Sequence, residues 1–485
     1  MSAPGRPKRE LLSLGGTARS AKGELMSGPT IAVIDIGKTS AKVLTLDRAG
    51  EVRQRHTCAS QASAAAPYPH IDVEPMFQWV LDALGEVAAH NAIDTIVCTA
   101  HGAAAALIAD DHLAMPVLDY EAVPPRSVDR DYDRIAPRFA ETLSPRLPAG
   151  LNLGRQLFWQ QTAFPAEFAR VQAILTYPQY WAWRLCGVAA SEISSLGAHT
   201  DLWDPRHGQF SSLAGQRGWD RLFAPLRAAW EPLGTLRPEV ARAIGVPATC
   251  RVLCGVHDSN AALLRCVAAS ISGTAMAVVS TGTWFICFRP GGDLDRLDGA
   301  RDMLANVAPD GTPLACARFM GGRECEAIAG GGNLGTANVT DLRRLIASGA
   351  MAMPSFVDLG GPFPGRSGAV IGGAGLTGGE RAALAIFYAA LVTDLCLDLL
   401  DAPADLALLG PFAGNGLYPA ILAALKPERR VVVDTSADAT AIGAGWLAAR
   451  GSNLAAFGPP LRPAVPVVAK GLIDHARRWR ERVAA

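Results

Sequence analysis

Thr30–Leu46 reads TIAVIDIGKTSAKVLTL, and the rest of the chain is organised around it. Ile31–Ile36 is a short apolar run rich in β-branched residues, the pattern of a buried strand. Gly37 breaks the run, and Ala41–Leu46 resumes it as a second strand. The turn between them, Asp35-Ile-Gly-Lys-Thr-Ser40, holds one carboxylate, one ammonium and two hydroxyls. Such a turn suits a metal-bound phosphate. Gly37 admits close backbone approach, turn amides and the Thr39 and Ser40 hydroxyls can donate to phosphate oxygens, and Asp35 can hold Mg²⁺ directly or through water. A plain β-hairpin with a polar turn accounts for this stretch equally well, so the decision rests on what lies further along.

A chain of 485 residues exceeds one ordinary core, so two domains of roughly 200–250 residues are expected. Lys+Arg and Asp+Glu both number 45. The balance gives no nucleic-acid footprint and no membrane-seeking basic face, so an anionic ligand has to be held by local geometry. The 10 cysteines form no C-x-x-C pair and mostly sit in apolar runs, which suggests a reducing cytoplasm. Met1–Gly28 is polar and basic without an apolar core, and reads as a disordered extension in which Met26 is an alternative start. Cys266–Phe288 carries no charge, yet Ser, Thr and Gly interrupt it repeatedly, so two buried strands fit better than a membrane helix.

Glu51–Thr57 reads as a third strand, Met76–His90 as an amphipathic helix and Ile93–Thr99 as a buried strand ending at Ala100-His101-Gly102. Polar residues delivered at strand ends are where ligands collect in open α/β sheets. Glu121–Gly154 reads as irregular and exposed. Ala169–Leu185 reads as a helix interrupted at Pro178, its aromatics more readily core than a sugar platform. Trp219–Leu226 and Pro238–Ile244 read as short helices. Arg251–Gly255 is a strand running into Val-His-Asp258-Ser-Asn260, where Asp258 suits a positioned base or a helix cap. Ala275–Ser280, Thr281-Gly282-Thr283 and Trp284–Phe288 then repeat the opening design of strand, Gly with hydroxyls, strand. The pair suggests two related domains facing each other across a phosphate. Glu380–Leu400 reads as a long buried helix, and Ala439–Ala449 as a small-residue helix that packs closely. His475–Arg482 reads as a basic helix, a solvated face packed at the periphery.

In this order the pieces resemble the FGGY family of carbohydrate kinases, within the sugar-kinase, heat-shock-protein and actin superfamily. Asp35-Ile-Gly37-Lys38-Thr39-Ser40 with Lys42 looks like the family's first phosphate motif, and Thr281-Gly282-Thr283 like its second. Gly410-Pro-Phe-Ala413-Gly-Asn415 with Ala439-Thr-Ala-Ile-Gly443-Ala444 is similar to the adenosine-site pattern. Gly255-Val-His257-Asp258 matches the segment whose Asp is the family's catalytic base, and Ala100-His101-Gly102 resembles its sugar-side loop. Three positions depart from the pattern. Lys38 stands where Thr is common, Gly410-Pro-Phe interrupts the usual Gly run, and Leu118-Asp119-Tyr120-Glu121 replaces Trp-x-Asp-x-Arg. These place the chain in a side branch nearer the rhamnulose and fuculose kinases.

The resemblance implies two actin-like (ribonuclease H-like) α/β domains: a sugar-binding and catalytic one over 29–262, a nucleotide-binding one over 263–455, and a tail from 456 to 485. It implies ATP with Mg²⁺ and phosphorylation of a hydroxyl on a ketose such as rhamnulose, fuculose or xylulose. Asp258 would be the base and Asp35 the Mg²⁺ residue. Gly37, Lys38, Thr39, Ser40, Lys42, Thr281, Gly282, Thr283, Gly410, Ala413 and Asn415 would hold the nucleotide. His101, Gly102, Asp119 and His257 would face the sugar alongside Asp258. The partners implied are sugar and ATP, with no nucleic acid and no membrane; a homodimer is left open. The alternative is a sugar- or nucleotide-sensing protein that keeps the fold without transferring phosphate.

Overall fold

The computed structural model describes residues 29–269, 276–358, 360–450 and 457–484. The expected extension over 1–28, with its alternative start at Met26, lies outside them. The chain forms two seven-stranded sheets. The first is built from β1 (Pro29–Ile36), β2 (Ser40–Leu46), β3 (Val52–Ala59), β4 (Ala92–Ala100), β5 (Pro232–Thr235), β6 (Arg251–Leu253) and β7 (Val256–His257). Its order is β5-β6-β4-β1-β2-β3, with β7 also on β4. β1, β2 and β3 form an antiparallel meander, while β4 runs parallel to both β1 and β6.

The second sheet repeats this plan. Its strands are β8 (Met276–Ser280), β9 (Phe285–Pro290), β10 (Met303–Val307), β11 (Pro313–Phe319), β12 (Asp405–Leu409), β13 (Arg430–Val433) and β14 (Arg462–Pro463), in the order β10-β11-β9-β8-β12-β13-β14. Again a hairpin comes first (β8 with β9), a third strand extends it antiparallel, and two parallel strands follow on the other side. Each sheet therefore delivers its first tight turn beside the carboxyl end of the parallel strand next to its first strand, β4 in one and β12 in the other, which is why two sequence-distant hairpins occupy equivalent places.

Helices cover both sheets. α1 (Val73–Ala88) buries Met76, Val80, Leu84 and Val87, the i, i+4 stripe of an amphipathic helix. α2 is Tyr177–Cys186, and α3 (Asp258–Ala269) leads from the first sheet to the second, so the expected boundary at 262/263 falls inside a helix. α4 (Gly378–Leu399) is apolar on nearly every face. It is long and apolar enough to cross a bilayer, but 83% of its apolar window is buried inside the protein, as befits a core helix. Thr377 and Glu380 close its N-terminus with a reciprocal capping box. α5 (Ala439–Ala449) crosses α3 at backbone contact: a Cβ on Gly443 would lie 1.9 Å from the Ala261 carbonyl oxygen. The small residues of α5 exist for that approach, and it joins the two halves.

Two local readings are corrected. Ala169–Leu185 is not one interrupted helix: Ala173–Thr176 is a strand, and α2 starts at Tyr177 with Pro178 in its first turn, where a missing N–H costs nothing. Glu121–Gly154 contains a helix at Arg126–Ile135, whose Tyr132 is fully buried. The tail helix, α6 (Leu472–Ala484), packs at the periphery through one face: His475 and Trp479 are buried, the Trp479 indole donates to the Ala352 carbonyl at 2.8 Å, and Arg480 pairs with Asp394 and Asp398 of α4. The aromatics of α2 are core, with Tyr177, Tyr180, Trp181 and Trp183 all buried.

Candidate active site

Asp35 is the penultimate residue of β1, opposite Lys42 across the hairpin. Its carboxyl is buried, and burial pushes it up to about 7, against the pull of Lys42 and with a further push from Asp258 and Asp438. A carboxylate kept this dry beside two others favours a cation. Among the described residues no three His, Cys, Asp or Glu side chains gather as a metal cage. Mg²⁺ does not need one, since it is commonly held by one or two carboxylates plus water and phosphate oxygens. Asp35 fits that role.

The turn after Asp35 is held by its own backbone and by the end of β3. Gly37 N–H donates to the Ser40 carbonyl at 3.0 Å, and the Ser60 hydroxyl donates to the Gly37 carbonyl at 2.7 Å. A Cβ on Gly37 would lie 2.9 Å from the Ser40 oxygen, so the turn admits no side chain there. Thr39 is exposed at the tip and Ser40 half-buried. The two lysines leave in different directions. Lys42 reaches the other half of the molecule, donating to the Ala437 carbonyl at 2.8 Å and lying 3.3 Å from Asp438, which Arg55 also approaches at 3.2 Å. Lys38, expected against the phosphates, instead pairs with Asp119, lies 3.3 Å from Glu121 and sits over the Tyr120 ring. Its ammonium thus lies among Asp119, Tyr120 and Glu121, beside one of the residues expected to face a sugar.

That side also holds His101, at the end of β4. Its ring touches Tyr177 and Tyr120, with centroids 4.8 and 5.4 Å away, and its Nδ1 contacts the Gly102 carbonyl at 2.9 Å. Burial holds His101 below the usual histidine range, partly offset by that carbonyl and by Asp258. His257, at the end of β7, is likewise buried and held low. A Cβ on Gly102 would lie 2.6 Å from His257 Nε2, so this glycine makes room for the imidazole. Asp258 opens α3 and stays partly exposed. Its Oδ1 accepts from the Ser259 N–H at 2.5 Å and the Ser259 hydroxyl at 3.2 Å, while Oδ2 has no partner among the described residues. Asp258 therefore does not cap α3 as a residue preceding it would.

The second hairpin is quieter chemically. The Thr281 hydroxyl donates to the Leu409 carbonyl at 2.6 Å and accepts from Phe412 N–H at 3.1 Å, so it ties β8 to the Gly410 turn. Gly410 has φ +85°, and a Cβ there would lie 2.0 Å from the Thr281 carbonyl oxygen. Gly282 and Thr283 remain open at the tip. Ala413 lies in the core, and Asn415 Oδ1 accepts from Leu417 and Tyr418 N–H at 3.0 and 3.1 Å, starting the helix Tyr418–Leu425. Both side chains seat the turn between β12 and that helix.

Asp35, Lys38, His101, Asp119, His257 and Asp258 thus come from the ends of β1, β4, β7 and the short strand Val117–Leu118, and from the first hairpin turn. Outside the converging set stand two carboxylates that the sequence reading did not single out: Asp438, and Glu192, which is fully buried, pushed up to about 7 by burial and held by the Ser194 hydroxyl. Nothing in their local sequence marks them.

Residues 273–455 match the family model described as the C-terminal domain of FGGY carbohydrate kinases. A carbohydrate kinase from Novosphingobium aromaticivorans is 37% identical, with a TM-score of 0.85 covering 93% of this chain and 100% of that one. The chain belongs to the FGGY carbohydrate kinase family. Within curated FGGY relatives, an L-fuculokinase from Salmonella typhi is 27% identical over 289 residues, 56% of this chain, and the match spans only 58% of that protein's length. A xylulose kinase from Rhodospirillum rubrum is 18% identical with a TM-score of 0.75, covering 94% and 98% of the two chains, and shares the fold. The FGGY assignment accounts for the repeated sheet and for the sugar-kinase, actin-like architecture of the two halves.

Proposed function

We propose that this FGGY protein transfers the γ-phosphoryl group of ATP to a hydroxyl of a small ketose or deoxy-ketose, of the fuculose, rhamnulose or xylulose kind. The observation that carries this reading is the convergence just described: Asp258, a carboxylate with one oxygen unpartnered among the described residues, lies 3.3 Å from His257 and near enough to Asp35 and His101 to act on both electrostatically. Phosphoryl transfer asks the protein for alignment, charge neutralisation and a poised hydroxyl rather than covalent chemistry. Asp258 Oδ2 would take the proton of the attacking hydroxyl. Asp119, with Lys38 beside it, and His101 would orient the ring or chain hydroxyls. Asp35 would hold Mg²⁺, which when bound neutralises phosphate charge. The open amides and hydroxyl at Gly282–Thr283 and the Thr39–Ser40 tip would receive phosphate oxygens. Closure of the two halves excludes water from the transfer. The similarity to L-fuculokinases supports a deoxy-ketose, and the proposed location is the cytoplasm.

The test is ADP release in MgATP with and without each member of a ketose panel. Stimulation by at least one ketose is the expected result. Nucleotide binding without stimulation by any of them would favour a sensor that keeps the fold.

A further inference from the structure

Asp258 is anchored on one side only. Three donors or donor-capable groups address Oδ1: the Ser259 N–H at 2.5 Å, the Ser259 hydroxyl at 3.2 Å and His257 Nε2 at 3.3 Å. Oδ2 is left to the cleft. A base works best when one lone pair is aimed at the reacting proton and the rest of the carboxylate cannot rotate.

The imidazole is itself fixed. It is buried, its backbone N–H donates to the Ser194 hydroxyl at 3.2 Å, and its Nδ1 lies 3.4 Å from the amide nitrogen of fully buried Asn260, one turn along α3. An amide NH₂ only donates, so Nδ1 is the acceptor and the ring proton sits on Nε2, facing the carboxylate. The opposite amide orientation would put the Nε2 lone pair against Asp258, a repulsive pairing. Burial keeps the ring neutral, so it offers one N–H and no net charge. Gly102 supplies the space that lets Nε2 reach this position. Seen this way, His257 has no atom left for the sugar: one nitrogen serves Asn260 and the other serves Asp258.

We infer that His257 is a positioning residue for Asp258, with Asn260 setting its tautomer, rather than a sugar ligand. The inference rests on the reading of Asp258 as the base. It predicts that the Gly-Val-His-Asp-Ser-Asn segment works as one unit in which only Asp258 touches substrate.

The test compares His257→Leu, His257→Gln and Asn260→Leu with Asp258→Asn, using the ketose that stimulates ADP release most. Sugar affinity is measured separately by calorimetry and fold by melting temperature. His257→Leu should lower kcat on the order of 10- to 100-fold, the cost of a misaimed group, with calorimetric sugar affinity and the KM for ATP unchanged. His257→Gln, whose amide nitrogen can stand near the Nε2 position, should recover most of the rate. Asn260→Leu should lose less than His257→Leu. Loss of sugar affinity with kcat intact in His257→Leu would overturn the proposal, as would full kcat in a folded His257→Leu, or a folded His257→Gln no faster than the leucine variant. If His257→Leu melts early, the glutamine variant alone decides. Full activity in Asp258→Asn would instead overturn the underlying reading of the base.

Discussion

The two first hairpins of the two sheets share a backbone plan and differ in chemistry. The β1–β2 turn carries ionisable groups that all point somewhere: Asp35 into the cleft, Lys38 to Asp119, Lys42 across to Asp438. The β8–β9 turn carries none. Its Thr281 is committed to Leu409 and Phe412, and Gly410 is pressed against it. Duplicated folds can thus divide labour. One turn becomes the place where charge is managed and where the opposite half is met; in the proposed reading, sugar and metal would meet there too. Its counterpart becomes a rigid backbone cradle whose value is shape.

This comparison can be broken first at the cradle. Gly410→Val places a β-branched side chain at φ +85° and into the Thr281 carbonyl, so it should cost on the order of 4 kcal/mol or prevent folding. Thr281→Val, which strands the Phe412 N–H while Leu409 keeps the Thr281 N–H, should cost about 1–3 kcal/mol. Urea titration reads both. A Gly410→Val protein as stable as the wild type would show that the second turn is not rigidly seated.

At the charged turn the expected stability effect has the opposite sign. The folded Asp35 carboxyl titrates near 7 against 3.8 for the free group. The folded state therefore holds more protons than the unfolded one between those values, and stability falls as pH rises through that window. Asp35→Asn should leave the melting temperature unchanged near pH 4 and raise it at pH 8, by a few kcal/mol in free energy, since each unit is worth about 1.4 kcal/mol. The same variant should lose phosphoryl transfer at every pH. A melting temperature at pH 8 no higher than the wild type's would mean that Asp35 is not desolvated.

Lys38→Met should raise the sugar KM about tenfold, or ~1.4 kcal/mol, and leave the KM for ATP alone, because its partner is Asp119. A change confined to ATP would return Lys38 to the phosphates. The smallest effect belongs to Lys42→Met, which removes one of two cationic partners of Asp438 and should cost about 1 kcal/mol of stability. Denaturation showing no change, with transfer kinetics also unchanged, would remove Lys42 as a link between the halves.

The sheets were legible in the sequence because β-branched runs such as Ile31–Ile36 and Ile93–Thr99 announce buried strands, and the Gly37 and Gly282 turns punctuate them. The Arg126–Ile135 helix was not, since its short apolar stripe of Val128, Tyr132 and Ile135 is set among charged residues and only Tyr132 is fully buried. Ala173–Thr176 was hidden because four strand residues lead directly into an aromatic helix. The docking of α6 did have a signal: Leu472, His475, Trp479 and Val483 follow an i, i+3, i+4 stripe that its arginines obscured. The site residues at strand ends were legible as types, while their pairings were not. Lys38 to Asp119 spans two loops, and no local pattern states which way a lysine turns.

The central claim is that Asp258, with Oδ1 anchored and Oδ2 free, is the base that makes this fold a kinase. Its most direct test is Asp258→Asn assayed for ketose-stimulated ADP release alongside calorimetric binding of MgATP. The account predicts a rate loss on the order of 10²–10⁴-fold with nucleotide affinity retained. Ketose-stimulated release at the wild-type rate in that variant would contradict it.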